Sequence, residues 1–412
     1  MKYGCIAERL GHSFSADIHA LLGNSDYELC PLPPDALEDF LRKRDFCGIN
    51  VTIPYKGAVI PYLDRVEETA ARIGAVNTVV NKGGMLCGYN TDLYGMTALI
   101  RRLNIDLRGQ KVAVTGTGGT SRTAVAVAES LGAREILRVG RTGRDGSITY
   151  EQLRDRHTDI TFLINTTPVG MYPHAEDRLL ELSCFPALCG VVDAVYNPLR
   201  TNLVLDARER GIPAEGGLYM LVAQAVRASE LFLDMVYPDG TTDEVYKKML
   251  AGRENIVLTG MPASGKSTIG RRLAARLGRR FLDADTCIEA HGRSIPAVFA
   301  AEGESGFREL ESQVIRAELA PLTGVVIATG GGSILREENV RALRQNGRLF
   351  FLDRPPELLT PTADRPLASD REAIRRRYEE RFPRYVETAD CRVEASGDID
   401  EVTEAVLKEW SS

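Results

Sequence analysis

The stretch that most restricts how this chain can fold is Asn255-Ile256-Val257-Leu258-Thr259 followed by Gly260-Met261-Pro262-Ala263-Ser264-Gly265-Lys266-Ser267-Thr268. It reads as a short apolar run, a glycine-bounded loop, and a helical pattern carried by Ile269, Leu273 and Leu277. From Gly260 to Ser267 it satisfies G-x-x-x-x-G-K-[ST], the phosphate-binding P-loop. Glycines let backbone N–H groups close around phosphate oxygens, and the following helix adds its positive end. Gly260, Ala263, Ser264, Gly265 and Thr268 would line the nucleotide. Lys266 can reach the terminal phosphates, and the Ser267 hydroxyl can sit on Mg2+. A nucleoside-triphosphate site therefore begins near residue 253, with about 250 residues ahead of it.

A chain of 412 residues is too long for one ordinary domain, and two or three are expected. A net charge of −6 argues against a partner that is nucleic acid or an acidic membrane. The eight cysteines are scattered without a C-x-x-C, which suits reduced thiols, and the five histidines form no metal-ligand spacing with them. No apolar run reaches the roughly 18 residues a membrane span needs, and no basic-plus-apolar leader opens the chain. A soluble, cytoplasmic protein is expected, with no membrane partner and its oligomeric state open.

Near the N-terminus, Leu10-Gly11-His12-Ser13-Phe14-Ser15 precedes a helical pattern and puts two hydroxyls at a helix start, an arrangement that N-capping also explains. Asn50-Val51-Thr52-Ile53-Pro54-Tyr55-Lys56 is a strand ending in proline with a lysine just past it. Gly74-Ala75-Val76-Asn77-Thr78 and Asn90-Thr91-Asp92 follow. In this order and spacing, H-S-x-S, N-V-T-x-P-x-K, G-A-V-N-T and N-T-D resemble shikimate dehydrogenase over roughly residues 1–250. The resemblance implies that Ser13 and Ser15 bind the substrate carboxylate and that Thr52, Asn77 and Asp92 meet the ring hydroxyls, with Lys56 and Asp92 as the catalytic pair. The chemistry is sensible on its own terms. Reducing a ketone develops alkoxide charge, which a lysine ammonium can stabilise and protonate, and a nearby carboxylate keeps that lysine placed and charged.

Lys111 to Thr115 reads as a strand running into Gly116-Thr117-Gly118-Gly119-Thr120-Ser121 and an apolar-periodic helix, a variant of the dinucleotide loop. Gly116, Gly118, Gly119, Thr120 and Ser121 are thereby candidate cofactor contacts. The next strand ends in Gly140-Arg141-Thr142-Gly143-Arg144 rather than an acidic residue. Arginine forks suit a 2′-phosphate, so Arg141, Thr142 and Arg144 favour NADP over NAD, although surface arginines in a loop read the same way. Gly140 stands where the family has asparagine. Tyr196 is equally a substrate neighbour or an ordinary structural tyrosine. The run Gly217-Leu218-Tyr219-Met220-Leu221-Val222-Ala223-Gln224 resembles the family's helix that brings Gln224 to substrate and the Gly217 backbone near the nicotinamide.

Beyond the P-loop, Phe281-Leu282-Asp283-Ala284-Asp285 reads as a strand with two carboxylates on one face: one for Mg2+, directly or through water, the other for an acceptor hydroxyl. Arg308 and Glu311, Gly330-Gly331-Gly332, Asp364-Arg365-Pro366-Leu367 and Arg381-Phe382-Pro383-Arg384-Tyr385 complete a set resembling shikimate kinase over about residues 253–412. The resemblance implies Asp285, Arg308, the Gly330–Gly332 backbone and Arg381 at shikimate, with both arginines on its carboxylate. Glu311 would hold Arg308, and Arg365 would close from a short lid onto the ATP phosphates.

The expected fold is α/β throughout. A two-lobed dehydrogenase-like half, with a substrate lobe of residues 1–95 plus 216–250 and a Rossmann NADP lobe of residues 96–215, is followed by a linker at 251–254 and a P-loop kinase domain at 255–412. The expected function is NADPH-dependent reduction of 3-dehydroshikimate followed by ATP-dependent phosphorylation of shikimate, with NADP(H), ATP and Mg2+ as cofactors. Rival readings are a quinate-type dehydrogenase and a half that binds its metabolite without turning it over.

Overall fold

The computed structural model describes residues 1–10, 14–359 and 371–411. It divides into two compact units, Met1–Leu250 and Ala251–Ser412.

The first unit holds two sheets. One is built from β1 (Tyr3–Ala7), β2 (Tyr27–Pro31), β3 (Gly48–Val51), β4 (Arg65–Val66), β5 (Thr78–Lys82) and β6 (Met85–Tyr89), in the order β2-β1-β3-β5-β6-β4. β1 runs parallel to β2 and β3, whereas β5 is antiparallel to β3 and β6, the latter pair joined through the tight Gly83-Gly84 turn. Every residue of β1 is buried, as expected of a strand covered on both faces.

The second sheet comprises β7 (Lys111–Thr115), β8 (Glu135–Gly140), β9 (Ile148–Thr149), β10 (Phe162–Asn165), β11 (Gly190–Asp193) and β12 (Ala214–Glu215), in the order β12-β11-β10-β7-β8-β9 and parallel throughout. Chain order reverses between β7 and β10. The crevice at such a switch point is where doubly wound sheets take ligands, and the Gly116–Ser121 loop leaves β7 there. The helix Leu218–Leu233 then packs on the helix Thr91–Arg102, which carries Asp92.

The second unit is a parallel sheet of β13 (Asn255–Thr259), β14 (Phe281–Asp283), β15 (Val326–Ala328), β16 (Gly347–Asp353) and β17 (Cys391–Glu394), in the order β14-β15-β13-β16-β17. β13 is central and buried along its whole length, and the P-loop springs from its end.

Two local readings need correction. The helix Thr241–Arg253 runs through three of the four residues expected to form a linker, because Ala251-Gly252-Arg253 contains no residue that must end a helix. The strand carrying Asp283 and Asp285 stops at Asp283, which caps the next helix, Ala284–Glu289, by accepting from the Asp285 amide at 3.1 Å. The two carboxylates thus belong to a strand end and a helix first turn, not to one strand face.

Candidate active sites

In the first unit the turn after β3 presents Lys56. Its carbonyl accepts from the Val76 amide at 2.8 Å, and the neighbouring Tyr55 hydroxyl donates to the Leu32 carbonyl at 2.5 Å, which pins the turn to two other segments. Lys56 Nζ donates to Asp92 Oδ2 at 2.5 Å, with side-chain exposures of 17% and 6%. Asp92 lies in the first turn of its helix, where the positive end favours a carboxylate.

The N-T-D motif divides its labour. Asn90 caps the helix by accepting from the Leu93 amide, Thr91 donates to Asn77 Oδ1 through its amide at 2.7 Å, and Asp92 holds the lysine. Asn77 Nδ2 donates to Gln224 Oε1 at 3.2 Å, so residues separated widely in sequence meet at one place. Thr52 is half-buried immediately after β3.

Behind Asn77 runs a network that joins the motif residues Asn50 and Thr78 to Tyr27, which no sequence pattern signals. The Tyr27 hydroxyl donates to Asn50 Oδ1 at 2.7 Å, and Asn50 Nδ2 donates to Thr78 Oγ1 at 3.1 Å. Tyr27 also stacks on His19 with ring centroids 3.9 Å apart, anchoring the helix Ser15–Leu21. Burial pushes the His19 imidazole down to about 4, so it is neutral at physiological pH. Ser15 opens that helix without capping it: the cap position is Phe14, with no side-chain cap bond. The Phe14 ring lies 5.3 Å from that of Tyr196, which brings Tyr196 to the same end of the Ser15–Leu21 helix. Cys5 lies beside Lys56, but burial raises its thiol to about 12 and keeps it protonated. Ser13 lies outside the described residues.

At the dinucleotide loop, Gly118 occupies the N-cap of the helix Gly119–Ser130 with no side chain obstructing the exposed amides. The Ser121 hydroxyl is committed to the Gly116 carbonyl at 2.7 Å and serves the loop's shape. Arg141, Thr142 and Arg144 are all exposed just past β8. A Cβ at Gly140 would come within 3.0 Å of the Thr117 methyl, so an asparagine there would require the Thr117 side chain to shift. Gly217 caps the Leu218–Leu233 helix and donates to the Val195 carbonyl at 2.9 Å.

In the second unit the P-loop backbone turns left-handed at Ala263 (φ 64°) and Gly265 (φ 92°), the former a cost of about 1 kcal/mol for a residue with a Cβ. Lys266 is buried, and its Nζ donates to the carbonyls of Gly260 and Met261 at 2.9 and 2.8 Å. The Ser264 hydroxyl is fully buried with no hydrogen-bond partner among the described residues, an orphan that suits a phosphate oxygen. Ser267 Oγ donates to Asp283 Oδ2 at 2.5 Å. Lys266, Ser267 and Asp283, with Gly265, Asp285 and Thr329, line a cavity of about 240 Å³.

Beside it, Arg308 Nη1 donates to Glu311 Oε2 at 2.7 Å and Nη2 to Glu304 at 3.2 Å, while Arg308 Nε is buried with no partner among the described residues. Glu311 is fully buried and also accepts from Ser333 Oγ at 2.5 Å. Arg381 Nη1 and the Tyr385 hydroxyl both donate to the Gly331 carbonyl, at 2.8 and 2.5 Å. The reason for glycine at 332 is spatial: a Cβ there would sit 2.1 Å from Arg308 Nη2. Asp285, Glu311 and the glycine run therefore share one pocket wall. Arg365 lies outside the described residues.

The shikimate dehydrogenase of Clostridium perfringens strain SM101 is 34% identical over 265 residues, spanning 60% of this chain and 97% of the relative. The chain belongs to the shikimate dehydrogenase family. Residues 5–79 match that family's substrate-binding domain, and residues 262–411 match the shikimate kinase family. Among solved structures, the chorismate mutase/shikimate 5-dehydrogenase fusion protein of Clostridium acetobutylicum aligns with a TM-score of 0.57 at 32% identity, over 60% of this chain and 96% of that one. The shikimate 5-dehydrogenase of Thermus thermophilus, solved with NADP(H) and shikimate, aligns with a TM-score of 0.54 at 29% identity, over 60% and 99%. These matches cover the dehydrogenase half with its Rossmann lobe, and the kinase match begins inside the P-loop. Among the described residues no helix is long and apolar enough to cross a membrane.

Proposed function

We propose that the Met1–Leu250 unit reduces 3-dehydroshikimate to shikimate with NADPH, and that the Ala251–Ser412 unit phosphorylates shikimate to shikimate 3-phosphate with ATP. The observation that carries this reading is that one chain joins a shikimate dehydrogenase half to a shikimate kinase domain, so the product of the first reaction is the acceptor of the second.

In the dehydrogenase, Lys56 is the proton donor. As the ketone is reduced, negative charge gathers on its oxygen, and the ammonium stabilises that charge before protonating it. Asp92 keeps the lysine charged and aimed, and Asn77 and Gln224 orient the ring hydroxyls. Thr52 meets the ring beside them, Ser13 and Ser15 take the carboxylate, and Tyr196 closes that side. NADPH supplies the hydride; the Gly116–Ser121 loop and Gly217 position it, and Arg141, Thr142 and Arg144 select its 2′-phosphate.

In the kinase, phosphate oxygens would take over the two Lys266 hydrogen bonds now made to loop carbonyls, since a charged acceptor binds an ammonium more strongly. Ser267 and Asp283 offer two adjacent hard oxygen donors suited to Mg2+, which when bound would neutralise phosphate charge. Asp285 accepts the acceptor hydroxyl's proton. Arg308 and Arg381 hold the carboxylate, and Arg365 completes the phosphate environment. Both cosubstrates are metabolites of the cytoplasm, which is the proposed location.

The test is a single reaction containing the full chain, 3-dehydroshikimate, NADPH and Mg·ATP. NADPH loss accompanied by shikimate 3-phosphate is expected. NADPH loss without the phosphate ester would refute the kinase assignment, and neither signal would refute both.

A further inference from the structure

Arg381 and Tyr385 lie one turn apart on the helix Arg371–Thr388 and converge on a single backbone oxygen. Arg381 Nη1 and the Tyr385 hydroxyl both donate to the carbonyl of the buried Gly331, at 2.8 and 2.5 Å. The two donors differ in what else they can do. The phenol has one proton to give and little room to move: Tyr385 is fully buried, and its ring stacks on Phe351 with centroids 4.8 Å apart and planes 7° from parallel. Burial raises its hydroxyl above the ordinary range, so it stays a donor at physiological pH. Arg381 instead carries a fork of N–H groups, of which the carbonyl takes one. Gly331 is confined from another side by the P-loop, since a Cβ there would lie 2.7 Å from Pro262 Cδ.

A buried carbonyl stripped of every donor is costly, whereas one that keeps a donor after losing another is not. The pair on Gly331 therefore divides into a permanent holder and a releasable one. In the kinase reading above, Arg381 turns to the acceptor carboxylate, a charged group that attracts an N–H more strongly than a carbonyl does. We propose that Tyr385 is a positioning residue of the acceptor site: it keeps the Gly331 carbonyl satisfied, so that Arg381 can leave that carbonyl for the carboxylate. The inference rests on the kinase reading, and Tyr385 acts through Gly331 and Arg381 with no part in phosphoryl transfer. Without the hydroxyl, an acceptor could draw Arg381 away only by orphaning a buried carbonyl, and binding would weaken by that cost.

The experiment measures ADP formation by the full chain against shikimate concentration, at saturating ATP and without nicotinamide cofactor. Tyr385→Phe should raise the shikimate KM about tenfold, with kcat within about twofold and the ATP KM unchanged. In that variant Arg381 still donates to the Gly331 carbonyl, so the free protein keeps its fold. The second arm compares Arg381→Leu with and without Tyr385→Phe through kcat/KM for shikimate. With no arginine to release, the added change should alter kcat/KM by less than about twofold, whereas a purely structural role for the hydroxyl would cost about tenfold again. Where the double variant does not fold, the Ki of the methyl ester of shikimate replaces it: with no carboxylate charge to draw Arg381 away, the ester should bind wild type and Tyr385→Phe alike. A wild-type shikimate KM in Tyr385→Phe, a parallel rise in the ATP KM, an equal loss in the Arg381→Leu background or a weakened ester overturns the inference alone. Failure of the wild-type chain to form ADP with shikimate overturns the kinase reading, and this inference with it.

Discussion

Gly332→Ala separates binding from folding at the kinase site. The Gly332 backbone sits at φ −117°, ψ −2°, a conformation open to alanine, so no backbone strain accompanies the change. The added methyl would stand 2.1 Å from Arg308 Nη2 and 2.3 Å from Cζ, where van der Waals contact needs roughly 3.5 Å. The guanidinium must retreat by more than about 1 Å, and as the far end of a flexible side chain it can. Stability should fall by only about 1 kcal/mol, the weakening of one charged hydrogen bond to Glu311. Binding should suffer far more, because a carboxylate held by Arg308 loses hydrogen bonds that are each worth about 1.5–3 kcal/mol. The shikimate KM should therefore rise about 10- to 100-fold in an assay of ADP formation, with the ATP KM little changed. NADPH oxidation by the same preparation serves as the control for intact protein. An unchanged shikimate KM would refute the placement of Arg308 at the carboxylate.

The two lysines separate the two chemistries. Lys56→Ala should lower NADPH oxidation by about 100- to 10,000-fold and leave ADP formation intact, and Lys266→Ala should do the reverse; a variant that silences both reactions, or neither, would contradict the assigned roles. Asp193 provides the pH prediction. It is fully buried, and burial raises its carboxyl from 3.8 to about 6 despite hydrogen bonds from Thr201, the Val195 amide and Asn165. The neutral form is favoured in the folded state, so its contribution to stability is complete below the unfolded value and is lost as pH rises from about 4 through about 6, a change of order 3 kcal/mol. Asp193→Asn keeps an acceptor for Asn165 and Val195 and removes the titration. Calorimetric melts should show the variant gaining on wild type between pH 4 and pH 8, and parallel stability curves would refute the buried-carboxyl account.

Local patterns carried much of this molecule. The P-loop announces itself because phosphate binding needs consecutive residues, and so does the strand-loop-helix of a dinucleotide site. The α/β class follows from apolar runs alternating with helical periods. Contacts that close across the chain were less legible. Tyr27, Asn50 and Thr78 support Asn77 through bonds over separations that no periodicity marks. Asn90 and Thr91 could have been found, since an asparagine before a helical pattern is a cap signal, yet the motif's acid drew the attention. Asp285 falls off the expected strand face because the Asp283 side chain caps a helix there and ends the alternation.

The two lysines also show how position on a helix suits opposite electrostatic tasks. Asp92 sits in a helix first turn, where the backbone N–H groups favour a negative charge, and it pairs there with Lys56. That pairing suits a lysine which must meet a neutral ketone and release a proton only as charge develops. Lys266 is itself the first residue of a helix, where the same N–H groups disfavour a cation, and carbonyl dipoles of Gly260 and Met261 offset them. Those carbonyl dipoles yield readily to the full charge of a phosphate. The lysine proposed to meet a neutral ketone group is therefore tied to an acid, and the lysine proposed to meet a polyanion makes two hydrogen bonds that the polyanion can take over.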